Sequence, residues 1–582
     1  MTLPTQPTQP RATTAIDRIA NEYTERLLEL DPGFATELGR AGHESEYRDH
    51  SPAGLAALAD AARSTLAALA AAEPVDEVDA VTVHAMAERL GLEVELHETG
   101  WPLAELNNIA SPAQGIRAIF DLMPTATAAD WQHIAERMAN VPAAVGGYIA
   151  SLRAGAERGL VASARQVKIV IGQCERHAAA DGFFTTMTQQ AALDADPGTS
   201  GTDAAGTDAS DAGRQLPADL AEVLAANAEI ARGGYGTLVA FLRDELLPQA
   251  PEEDAVGHER YQLASREFLG ARIDLEESYA WGVAELDRIV AEQEVVAEAI
   301  KPGASIEEAK ALLNADPARQ LQGTAALTAW MQQLSDTALA ELAGSQFDIP
   351  EVMRTLECRI APTQDGGIYY TGPSEDFSRP GRMWWSVPEG EDSFTTWAET
   401  TTVYHEGVPG HHLQVATATY QSALLNDWRR NVSWVSGHGE GWALYAERLM
   451  DDLGYLADPG DKMGMLDGQR MRAARVVFDI GVHLKLPVPA RWGTGNWTAE
   501  KGFEFLKANL DISAGQLDFE FNRYLGWPGQ APSYKLGQRL WEDIRDARAA
   551  RDGSGFSLRD FHTQALNLGS VGLDTLKMAL LG

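Results

Sequence analysis

Cysteine is almost missing from this chain. Cys174 and Cys358 are the only two among 582 residues, which excludes a disulfide framework and leaves two buried free thiols as the plain reading. Basic residues are scarce beside acidic ones, 47 against 84, for a formal net charge of −37. Nucleic-acid partners are excluded on that ground, because phosphate neutralisation by Lys and Arg dominates such affinity. Anionic membrane surfaces are disfavoured for the same reason. An acidic shell would favour basic or neutral substrates if the charge lies near the site. No run of 18 apolar residues occurs, so no membrane span is expected. The start, Met1-Thr2-Leu3-Pro4, lacks the basic and apolar stretches of a signal peptide, and a cytoplasmic protein is the expectation. No repeat of fixed period is present, and no oligomeric state is specified.

What is present is helical text. Apolar content of 45% suits a folded globular chain and rules out disorder throughout. Residues 1–12 are Pro, Gln and Thr without an apolar face and are expected to be disordered. From there Ile16, Ile19, Ala20, Tyr23, Leu27 and Leu28 recur at helical spacing. Ser51-Pro52 reads as a helix start before an Ala- and Leu-rich stretch. Amphipathic runs near 75–97, 128–155, 160–180, 217–245 and 260–345 predict a mostly all-α fold, with 13–582 as a single unit. Residues 194–215 are Gly, Asp, Thr, Ser and Ala, and read as a flexible insertion. The pattern changes near 366–387. Gly366 to Tyr370 and Met383 to Val387 look extended, which predicts a small sheet or hairpin. Its edge could hold an extended peptide, with Tyr369, Tyr370 and Arg379 as candidate substrate contacts. Packing against a helix is the rival reading of these aromatics.

Residues 405–412, His-Glu-Gly-Val-Pro-Gly-His-His, carry the most chemistry. Imidazoles bind zinc, and a carboxylate beside the metal can act as a base. In H-E-x-x-H the histidines lie four apart, roughly 6 Å along a helix. Here Pro409 stands at that position, and His411 and His412 would lie roughly 9 and 10.5 Å from His405 on an unbroken helix. Gly407, Pro409 and Gly410 make an unbroken helix improbable. A bulge or short loop is therefore expected to return His411 or His412 beside His405. A buried histidine cluster that binds nothing is the competing reading. A third ligand is required, and Glu440, near the start of the helical text Gly441–Glu447, is the candidate; His438 is an alternative. Glu447 could orient a histidine or form an ordinary salt bridge. Arg470, Arg472 and Arg475 could bind a substrate carboxylate or simply face solvent. Tyr534 could donate to an oxyanion or serve in packing.

The run Tyr404–Gln414 resembles the signature of the bacterial domain-of-unknown-function 885 family. So do Glu440–Glu447, Pro528–Ala531 with Ser533-Tyr534-Lys535, and the stretch from Pro373-Ser374 to Ser378-Arg379-Pro380-Gly381. That family is similar to gluzincin zinc metallopeptidases of the thimet oligopeptidase and angiotensin-converting enzyme types. The resemblance implies a two-lobed helical fold with a deep central cleft and a site spanning 360–540. It implies one Zn²⁺ held by His405, His411 and Glu440, with Glu406 as base and Tyr534 or His412 at the oxyanion. Other divalent metals would suit the same donors. A short peptide is the expected substrate; a non-peptide amide or ester, or a metal-free binding role, are the alternatives.

Overall fold

Long alanine- and leucine-rich segments, punctuated by proline and glycine, fold as helices in a computed structural model that describes residues 11–194, 216–362 and 367–582. The start up to residue 10, all but the first residue of the 194–215 insertion, and Gly366 lie outside the described residues. The chain divides into two compact units. One comprises 22–71 and 90–254; the other comprises 1–21, 72–89 and 255–582. No described helix is long and apolar enough to cross a membrane.

The first of these units centres on α1 (Ala128–Glu157) and α2 (Ala218–Phe241). Thr127 starts α1 with a capping box: its hydroxyl accepts from the Asp130 amide at 3.2 Å, and the Asp130 carboxylate accepts from the Thr127 amide at 2.8 Å. Trp131, Ile134, Met138, Tyr148, Tyr235 and Leu238 fill the shared core. The two buried tyrosines satisfy their hydroxyls on the Glu105 and Ala113 carbonyls, at 2.7 and 3.0 Å.

The larger unit holds the remaining labelled elements. Its helices are α3 (Leu275–Ile300), α4 (Thr324–Leu342), α5 (Thr396–Glu406), α6 (His411–Tyr420), α7 (Ser436–Asp452), α8 (Pro459–Leu484) and α9 (Ser533–Asp552). Its strands are β1 (Gln320–Gln322), β2 (Leu356–Ile360), β3 (Ile368–Thr371), β4 (Gly381–Trp385) and β5 (Ser393–Thr395). Arg11 is tied into this unit by ion pairs to Asp17 (2.5 Å), Asp76 (2.6 Å) and Asp79. Asp458 caps α8, accepting from the Gly460 amide at 2.7 Å, and Pro459 supplies the preformed first turn.

Two small sheets form. β1 and β5 pair antiparallel. In the other, the order is β2-β4-β3. β3 and β4 form the expected antiparallel hairpin, with Tyr370 opposite Met383. The parallel partner β2 was not anticipated from sequence, since its pairing with β4 joins segments separated by β3. β3 is thus an edge strand.

Helices α7 and α9 cross at glycine. A methyl group on Gly537 would lie 2.2 Å from the Gly437 carbonyl oxygen, and one on Gly441 would lie 2.5 Å from the Gly537 backbone. Backbone therefore touches backbone, a separation that no larger side chain permits. Beside this crossing, Trp442, Trp541 and Tyr445 are fully buried, with Trp442 and Trp541 ring centres 5.1 Å apart.

Candidate metal centre

The helix carrying His405 and Glu406 stops where the sequence predicts. α5 ends at Glu406, the backbone turns through Gly407–Gly410, and α6 begins at His411. The peptide bond Val408–Pro409 is cis. Gly410 is required at this turn, because a Cβ there would lie 1.9 Å from the His405 carbonyl oxygen. Trp442 of α7 pins the loop by donating its indole N–H to the Pro409 carbonyl at 2.8 Å.

The turn brings His411 back beside His405, their ring centres 4.9 Å apart. Glu440, within the first turns of α7, completes a trio. Its Oε2 lies 3.2 Å from His405 Nε2 and 3.5 Å from His411 Nε2. One ligand atom from each residue lies within 4.8 Å of the others. A tetrahedral ion with donors at about 2.1 Å separates them by roughly 3.4 Å, so the two measured spacings fit a divalent ion.

Support lies behind the trio. His405 Nδ1 donates to Glu447 Oε1 at 2.8 Å, which turns Nε2 toward Glu440 and His411. Gln469 Nε2 approaches the other Glu447 oxygen at 3.5 Å, and Lys535 Nζ donates to Gln469 Oε1 at 2.5 Å. Glu447 is 1% exposed. Burial disfavours the imidazolium of His405, yet hydrogen bonds to Glu440 and Glu447 outweigh it and raise the group to about 10. Burial likewise opposes charge on Glu440 and Glu447, but their histidine partners hold both carboxyls below the usual range. Glu440 and Glu447 thus hold positive charge at this point.

Glu406 is buried and makes no hydrogen bond among the described residues. Burial pushes its carboxyl upward, with Glu440 adding to the effect, which strengthens it as a proton acceptor. Tyr534 has its ring 5.3 Å from the Arg475 guanidinium, and its hydroxyl has no partner among the described residues. Burial and the charge of Glu440 raise its phenol, keeping it a donor at neutral pH.

The structure brings other candidates elsewhere. His412 points away from the trio. Its Nε2 donates to the Met353 carbonyl at 2.8 Å, and its Nδ1 accepts from the Tyr370 hydroxyl at 2.9 Å. Burial lowers it to about 4, so it is a neutral imidazole held between strand and loop. His438 faces Gln414, at 3.2 Å, and the Trp541 ring. Arg379 sits in the turn before β4, its guanidinium 3.4 Å from the Pro380 carbonyl.

A pocket of about 270 Å³ opens at the centre, lined by Ile368, Tyr369, Tyr370, Glu406, His411, Trp434 and Glu440 among others. β3 forms one wall, so an edge strand faces two of the trio. Tyr369 and Trp434 are both exposed there, 39% and 54%, while Tyr370 turns its hydroxyl onto His412. Sequence reading missed Trp434 and Gln469, and gave Lys535 no role beyond its place in the Ser533-Tyr534-Lys535 motif. It also missed Glu399 of α5, which burial raises to about 7. Nothing local marks these residues; only their packing does.

Residues 32–580 match the family described as "Bacterial protein of unknown function (DUF885)". The chain belongs to this family. No curated protein matches the sequence. Among solved structures, the DUF885 chain is similar to a "putative lipoprotein" from Colwellia psychrerythraea, with a TM-score of 0.81 at 22% identity over 97% of this chain and 98% of that one. It is also similar to a "putative lipoprotein of unknown function" from Shewanella oneidensis, with a TM-score of 0.72 at 15% identity over 98% and 100%. At these identities the likeness establishes a shared fold.

Proposed function

We propose that this DUF885 protein is a zinc-dependent hydrolase of short peptides. The supporting observation is the convergence of His405, His411 and Glu440 at spacings that suit one ion, with His405 oriented by Glu447. The gluzincin resemblance rests on the same donor set: two histidines and a glutamate from separate helices. His405, His411 and Glu440 would hold the metal. A bound divalent cation supplies Lewis acidity, which acidifies water and polarises a carbonyl.

The chain's own residues supply the rest. Glu406 takes a proton from the attacking water and delivers it to the departing amine. The Tyr534 hydroxyl donates to the oxygen that gains charge as the carbonyl becomes tetrahedral. β3 offers backbone hydrogen bonds along the pocket wall, which favours an extended peptide over a compact amide or ester.

Replacement of Glu406 by Gln tests this reading. Glu406→Gln should retain zinc, measured by atomic emission, while hydrolysis of short peptides falls by about 10²-fold or more. Full turnover by Glu406→Gln refutes the mechanism. A zinc content near zero in the native protein, unrecovered on adding the metal, refutes the metal site.

A further inference from the structure

Fourteen tryptophans are spread along this chain. Among the described residues Trp434 is the one that is exposed, at 54%. The exposed ring is nevertheless fixed in place. Its six-membered ring rests on the backbone of α7, where a Cβ on Gly439 would lie 2.4 Å from Cη2 and 2.6 Å from Cζ2. Only a residue without a side chain at 439 admits the ring there. That seat is one residue before Glu440, and the ring centre stands 6.4 Å from the His411 ring. Trp434 is therefore wedged beside two members of the trio while much of its surface stays in water. Covering that apolar surface is favourable.

The pocket in front of the indole divides by polarity. Its ionised and ionisable donors, Glu406, His411 and Glu440, belong to the metal centre. The rest of the wall includes Ile368, Tyr369, Tyr370, Val415 and Trp434. The Tyr370 hydroxyl is committed to His412 at 2.9 Å. Val415 closes over the end of β3, where a Cβ on Gly372 would lie 2.9 Å from its Cγ1. Beyond the metal centre this lining holds no charged side chain among the described residues. A basic or acidic substrate side chain would lose water there without gaining a counter-charge. An aromatic or aliphatic one would meet Ile368, Val415 and an indole face. The volume, about 270 Å³, lies just below the roughly 300 Å³ at which pockets for drug-sized molecules begin. That is room for one residue and its side chain.

Building on the peptidase reading, we infer that Trp434 is a specificity-determining residue. With Ile368, Tyr369 and Val415 it receives an aromatic or large aliphatic side chain next to the scissile bond. The substrate class narrows to short peptides with such a residue flanking that bond, and charged residues are disfavoured there. A substrate ring meets the indole offset or edge to face.

The test uses full-length, zinc-loaded Glu406→Gln protein and calorimetric binding of the free tripeptides Ala-Phe-Ala, Ala-Lys-Ala and trialanine. Both peptide bonds of a tripeptide flank its middle residue, so the result does not depend on which bond lies at the metal. Ala-Phe-Ala should bind about tenfold or more tightly than trialanine, and Ala-Lys-Ala no better than trialanine. The ratio of Ala-Phe-Ala to trialanine affinity should fall to about threefold or less in Trp434→Ala and persist in part in Trp434→Phe. Equal binding of Ala-Phe-Ala and trialanine with Trp434 intact would overturn the assignment. So would tighter binding of Ala-Lys-Ala than of Ala-Phe-Ala, a ratio undiminished in Trp434→Ala, or no binding of any probe. The comparison with Trp434 intact is independent of how well a variant folds. Turnover by protein with Glu406 intact is read separately. Absence of Ala-Phe-Ala hydrolysis alongside a clear aromatic preference would sink the peptidase reading while leaving the side-chain subsite standing.

Discussion

Loss of the Glu447 carboxylate should weaken zinc binding without touching a ligand. Glu447 Oε1 accepts from His405 Nδ1 at 2.8 Å in a setting 1% exposed to solvent. The native bond is charge-assisted, and such bonds are roughly twice as strong as neutral ones. In Glu447→Gln the amide oxygen can still accept from Nδ1, so the imidazole keeps its orientation and loses only the charge. The cost is about 1.4 kcal/mol, a tenfold weaker affinity. Glu447→Ala removes the acceptor as well, leaves a buried N–H unpaired, and should approach a 100-fold loss. Competitive titration against a chromophoric zinc chelator measures both, with circular dichroism and thermal melting as controls for folding. If both variants bind zinc like the native protein, His405 is not a ligand oriented by Glu447, and the proposed centre fails.

Three further outcomes follow from the same geometry. His412→Asn should keep zinc at native stoichiometry yet lose about 1–3 kcal/mol of stability, because Tyr370 and the Met353 carbonyl lose their partner; His411→Ala should lose the metal, and metal content with thermal unfolding separates the two. Glu285 is pushed up by burial but held at about 2 by Arg288 and Lys535. Its folded value lies below the unfolded one, so its contribution of about 3 kcal/mol is full above pH 5 and disappears as pH falls toward 2. Urea unfolding of native and Glu285→Gln proteins across that range should show a gap near neutrality that closes in acid; a gap independent of pH refutes the pairing.

Much of the local structure was legible because it follows from local chemistry. Gly407, Pro409 and Gly410 cannot continue a helix, so the break after Glu406 could be read directly from sequence. The choice between His411 and His412 could not. Adjacent residues on a helix point about 100° apart, and which one faces His405 is set by Tyr370 and Met353, 42 and 59 residues away in sequence. The hairpin β3–β4 was visible as two aromatic runs, whereas β2 joins by a non-local parallel pairing that leaves no local signature. The three arginines of α8 looked alike because their partners, Asn509 and Tyr524, lie 39 and 49 residues onward. Glu447 was recognisable as a neighbour of Glu440 by its seven-residue spacing, but the relay through Gln469 to Lys535 depends on packing among α7, α8 and α9.

The glycine crossing of α7 and α9 has a consequence for how the centre tolerates change. Glu440 stands between Gly437 and Gly441 on one helix, and Tyr534 lies three residues before Gly537 on the other. With main chains in direct apposition there, the interval between acidic donor and phenol is fixed by skeleton dimensions instead of adjustable rotamers. The pair behaves as one stiff bracket. A single added methyl at Gly537 would wedge that bracket open and shift the phenol relative to the ion, although neither functional side chain had been altered.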